Sequence, residues 1–215
     1  MCWSATADLV AGTAVAGVGV GCVARVRRGR DLPLAALPLL LGAHQIVESA
    51  VWQSGGGSGP ATVAWAVIAL PLVAVWVPAG VLCAAPPHAR PRLGVLLAVG
   101  TATAAMLAYG LVTGPATAEI RGHTVGYAFD LPHVPVLIAG YLLATVGSLL
   151  LSGDRGLLLL GLLAAVGASA CWALWRTEFV STWCALAAVC SVVLLRWIHT
   201  GPASGARAGR AAAHR

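Results

Sequence analysis

Seven apolar runs, each close to the roughly 20 residues that a helix needs to cross a bilayer, leave this chain little choice of fold. They cover about 6–26, 32–53, 61–85, 93–113, 134–152, 156–175 and 182–199. Hydrophobic residues make up 59% of the chain and charged ones 9%, and the apolar residues come in unbroken runs, without the alternation of a soluble core. The expected fold is all-α: a polytopic seven-transmembrane-helix bundle over residues 1–200, with a disordered basic cytoplasmic tail at 201–215.

Arginine sets the expected orientation. All 13 basic residues are arginine and none is lysine. Arg25, Arg27, Arg28 and Arg30 follow the first run, Arg90 and Arg92 the third, Arg155 the fifth, and Arg207, Arg210 and Arg215 lie in the tail, whereas 54–60 carries none. The positive-inside rule then puts the N-terminus outside and the C-terminus in the cytoplasm of a multi-pass protein of the cell membrane. The first basic cluster follows its apolar run instead of leading it, which is not the order of a cleaved signal. The net positive charge is topological, so no nucleic-acid partner is expected. The missing lysine excludes a retinal protein, which needs one for its Schiff base.

Within the second run stands Glu48, with His44 one helical turn before it and Trp52 one turn after. The spacing i, i+4, i+8 gives one stripe on one helix face. A carboxylate at membrane depth costs about 2.5 kcal/mol or more by insertion scales, so it needs a partner or a task. Two readings are open: a structural glutamate bonded to a neighbouring helix, or a functional acid. Among apolar side chains the charged form is disfavoured, so Glu48 can stay protonated near neutral pH and act as an acid. His44 is positioned to bond or reprotonate it.

Depth selects the companions. At 1.5 Å per residue Glu48 lies about 7 Å from the outer end of its run. Trp52, Trp172, Trp175 and Trp183 fall toward the same outer half, and their ring faces can stabilise a cation or anchor the interface. The connection 114–133 is the one long enough to cover a site, and it holds Tyr127, Asp130, His123 and His133. Gln45 and Tyr127 complete the expected lining. Cys2 and Cys184 both fall at the outer surface, where a disulfide or two free thiols are equally compatible with the sequence. Only His44 is deep among the histidines, which argues against a bis-histidine haem. Gly12 with Ala16, Gly17 with Gly21, and Gly161 with Ala165 and Ser169 form small-residue faces for close helix packing.

The opening Met1-Cys2-Trp3-Ser4-Ala5, the Leu32-Pro33-Leu34 step, the segment Gly42, His44, Gln45, Glu48, and Ser181, Trp183 and Cys184 before the last run carry a resemblance. The chain resembles a family of small, mostly uncharacterised bacterial seven-span membrane proteins that open Met-Cys-Phe/Trp-Ser-Ala. In size, span count and an acid in the second span it also resembles the membrane-bound terpene cyclases of bacterial indole-terpenoid and fungal meroterpenoid pathways. That second resemblance implies proton-initiated cyclisation of a farnesyl-type chain carried by an indole or another aromatic, with Glu48 and His44 catalytic. A second acid would be Glu178 or Asp130. No metal and no cofactor are expected; the partners are a hydrophobic prenylated small molecule and membrane lipid, with no protein partner. Two other readings stay open: a metal-dependent lipid hydrolase using His123, Asp130 and His133, and a non-enzymatic binding or assembly protein.

Overall fold

The computed structural model describes residues 4–174 and 179–200, with the side chains of 171–185 and 187 outside that description. Each apolar run forms a helix whose ends fall near the expected ones. They are α1 Ala5–Ala24, α2 Gly29–Gln53, α3 Pro60–Ala84, α4 Pro87–Thr113, α5 Val134–Leu150, α6 Arg155–Leu174 and α7 Phe179–Thr200. Among the described residues α1 to α4 are long and apolar enough to cross a membrane, and α5 to α7 contribute shorter apolar stretches. The chain is a mostly helical membrane protein. The tail 201–215, Cys2, Trp175 and Glu178 lie outside the described residues.

Glycine decides how α1 meets α2. Along α1, Asp8, Gly12, Val15, Gly19 and Cys22 recur at three- and four-residue steps and are all buried. A Cβ added at Gly12 would stand 2.8 Å from the Gly42 carbonyl oxygen, and one at Gly19 would stand 2.6 Å from Leu39 N, so the two backbones touch. The α2 face turned toward α1 is therefore Leu39, Gly42 and Ile46. Gly12 behaves as its spacing predicts, but Gly17 does not: it is exposed, with open space where a side chain would go. Its offset of five from Gly12 turns it off the buried stripe.

Prolines loosen the helices at defined points. Pro38 follows a break at Ala36 in α2, and Trp76 Nε1 of α3 donates to the Pro33 carbonyl at 2.8 Å across that bend. In α3 a π turn spans Ile68–Leu72 around Pro71, and Tyr141 of α5 donates its hydroxyl to the Ala69 carbonyl there at 2.8 Å. At the end near the arginines, Asp154 Oδ1 accepts from Gly156 N at 2.8 Å and from Trp197 Nε1 at 2.9 Å, capping α6 and tying α7 to it.

The long connection between α4 and α5 is not a plain loop. It forms an antiparallel hairpin, β1 Ala116–Arg121 and β2 Thr124–Phe129, in a register that pairs Ala118 with Tyr127. Gly122, at φ +61°, holds the first turn position, where a tight hairpin turn requires the left-handed region. Period-two alternation turns Ala116, Ala118, Ile120, Val125, Tyr127 and Phe129 toward the bundle. A second clamp comes from the α2–α3 connection, where Gly57 and Ala118 exchange backbone bonds of 2.7 and 2.9 Å. Gly55, Gly56 and Gly57 all have positive φ, and a Cβ at Gly56 would stand 2.6 Å from Ala118 O.

Candidate functional site

With Leu39, Gly42 and Ile46 committed to α1, the helical period turns His44, Glu48 and Trp52 the other way, toward α3 and the hairpin. Glu48 is fully buried, at 0% exposure, and the Tyr127 hydroxyl donates to its Oε1 at 3.4 Å. The Tyr127 ring lies flat on Trp65 of α3, with centroids 3.5 Å apart and planes within 7°. Trp65 is itself fully buried, and the His44 imidazole packs against it with ring centroids 4.8 Å apart and planes tilted by 40°. Phe129, two residues along β2, continues the row at 6.4 Å from Tyr127 and nearly parallel to it. Val51, Ala66, Ala118 and Val125 pack around these rings and exclude water.

An acid, a hydroxyl and a row of ring faces thus share one closely packed, buried cluster near one end of the bundle. Three nitrogens in it remain unsatisfied: His44 Nε2, Trp52 Nε1 and Trp65 Nε1 are buried and find no hydrogen-bond partner among the described residues. Each such group costs about 1–3 kcal/mol of desolvation. Chemically, buried ring faces of this kind can stabilise a cation.

The structure brings together His44, Glu48, Trp52 and Tyr127 as expected, and Gln45 is buried on the same helix at 3% exposure. The contact described for the His44 side chain is the ring contact with Trp65. Asp130 is exposed at the foot of the hairpin. Trp172 lies in α6, and Trp183 and Cys184 lie in α7, with side chains outside the described residues. Glu178, Trp175 and Cys2 lie outside them altogether, so neither the second-acid assignment to Glu178 nor the Cys2–Cys184 pairing meets a described geometry. The hydrolase ligands do not gather: the hairpin puts His123 at its tip and Asp130 and His133 at its foot, and no metal-binding group forms among the described residues.

One residue escaped the sequence reading. Trp65 stands five residues from the start of α3 as Glu48 stands five from the end of α2, so both lie about 7 Å below the same end. Counting depth inward from Pro60 would have found it. Asp8 is a second buried acid, at 1% exposure, but it belongs to the α1 stripe that faces Gly42, not to the Glu48 face.

A family model described as a family of unknown function, DUF6629, matches residues 1–209. The chain belongs to this family. No curated protein and no solved structure matches it. Family membership agrees with the resemblance carried by the opening pentapeptide and the Glu48 segment, and it assigns no reaction to the cluster.

Proposed function

We propose that this chain is a seven-span enzyme of the cell membrane that protonates and cyclises a prenyl chain carried by an indole or another aromatic acceptor. The observation that carries the reading is the fully enclosed Glu48 carboxyl beside the stacked rings of Trp65 and Tyr127. The neutral acid gives its proton to a double bond of the chain, forming a C–H bond and a tertiary cation and leaving a carboxylate. Successive double bonds attack the cation and close rings, while the faces of Trp65 and Tyr127 hold the charge and the dry walls keep water from quenching it. Loss of a proton from the last cation yields a product isomeric with the substrate. His44 Nε2, buried on the same helix face, takes that proton and loses it to solvent as product leaves, when solvent also reprotonates Glu48 and closes the cycle.

The proposed orientation has the hairpin end outside and the arginine-bearing connections in the cytoplasm. Support comes from Arg92, whose Nε donates to the Leu151 carbonyl at 2.8 Å, so the connections after α3 and α5 meet at the end opposite the hairpin. Reporter fusions at Gly56 and after Gly205 should land on opposite sides of the membrane; two cytoplasmic signals would overturn the span count or the orientation.

Membranes containing the protein, fed a farnesylated indole, should convert it to a cyclic product of unchanged mass. A binding or assembly protein that uses Glu48 to anchor the hairpin is the rival reading, favoured by the same Tyr127 contact, and it predicts no conversion of any prenylated substrate.

A further inference from the structure

Glu48 and Trp65 are both sealed from solvent, so any ligand reaching them must displace something. The side chain that lies over both is Tyr127, and it belongs to the hairpin, not to a membrane helix. Its ring and the Trp65 ring are pressed face to face at 3.5 Å, closer than the 4.5–7 Å centroid spacing usual for aromatic pairs and in the sandwich arrangement that ring quadrupoles disfavour. The hydroxyl's bond to Glu48 is long, at 3.4 Å. Outside the cluster the hairpin's clamp on the α2–α3 connection is the pair of backbone bonds between Ala118 and Gly57, in a run of three glycines with positive φ. The closed arrangement also leaves the Trp52 and Trp65 indole N–H groups without acceptors, and the face of a π system accepts an N–H.

We infer that Trp65 and Tyr127 are the two walls of a binding slot for one flat, unsaturated hydrocarbon layer, which enters beneath the hairpin from the Phe129 side and lifts Tyr127 away from Trp65. This inference rests on the cyclase reading and names the part of the substrate that the slot takes: the double-bonded end of the prenyl chain. Admitting one layer widens the ring spacing from 3.5 Å to about 7 Å, the thickness of one further van der Waals contact. The shift is small enough for the glycine run to absorb, and it breaks the Gly57–Ala118 pair. The row formed by Trp65, Tyr127 and Phe129 then lines the path from the hairpin foot to Glu48.

The test uses the full chain in lipid nanodiscs, with an indole bearing a farnesyl chain at C3 as the probe and Glu48→Gln to hold it unreacted. Hydrogen exchange at the amides of Gly57 and Ala118 should rise about tenfold on binding, as the clamp opens more often. Trp65→Leu, which keeps an apolar filler but removes the ring, should weaken probe binding by about tenfold, and binding as tight as the parent's would overturn the slot. Probe binding with unchanged exchange at both amides overturns the slot while leaving the role of Glu48 standing. Opening without any isomerisation by the unaltered protein leaves the slot standing and removes the cyclase reading. Absence of probe binding overturns both.

Discussion

Glu48→Gln should lower the yield of cyclised product by about 10²–10⁴-fold, the range that a positioned general acid contributes, while the protein still inserts and folds. Glutamine fills the same volume at a position with 0% exposure, and its amide oxygen can still accept from the Tyr127 hydroxyl. What it lacks is a dissociable proton. Product formation in membranes checks the loss, and thermal unfolding of the purified variant checks that the fold is intact. An active Glu48→Gln protein would remove the acid role; an inactive but unfolded one would make Glu48 a structural residue.

Gly42→Val should have the largest effect on stability. A Cβ at this position would stand 2.6 Å from Ala16 N and 2.7 Å from Gly12 O, so α1 and α2 would have to separate. Neither neighbour is the free end of a flexible side chain, so relaxation requires backbone movement. Overpacking of this kind costs about 1–3 kcal/mol and more where backbone is displaced, which corresponds to a fall of roughly 5 °C or more in the unfolding midpoint of a chain this long. Gly17→Val is the control, because open space surrounds Gly17 and its midpoint should stay with the parent's. Equal midpoints for the two variants would mean that the α1–α2 contact is not close packed.

The helices were legible because each apolar run is long and ends at arginine, proline or glycine, so a count of residues against bilayer thickness finds them. The Glu48 face was legible because an acid in an apolar run has few explanations and His44 and Trp52 share its spacing. The hairpin was not. Its residues from Ala116 to Phe129 alternate with period two around Gly122, but the charged and polar residues in and just after it, Glu119, Arg121, His123 and Asp130, draw attention to themselves and hide the alternation. Trp65 was missed for a related reason: in a run of apolar residues a tryptophan near the end reads as an interfacial anchor, and only the tertiary pairing with β2 brings Tyr127 onto it. The glycine run at 55–57 reads as a flexible turn, yet Gly56 is required by the approach of the Ala118 carbonyl. Stripe assignment on α1 failed at Gly17 because small residues there occupy more than one face, and the choice between them is made by α2, not by α1 itself.

The central claim, that the buried acid delivers the proton that starts cyclisation, is tested most directly by running the membrane reaction on a farnesylated indole in heavy water. Proton-initiated ring closure with Glu48 as donor forms one new C–H bond from solvent-exchanged acid, so the product should carry one carbon-bound deuterium, and Glu48→Gln membranes should yield no product above background. A cyclic product without deuterium, or deuterated product formed equally by Glu48→Gln, would contradict it.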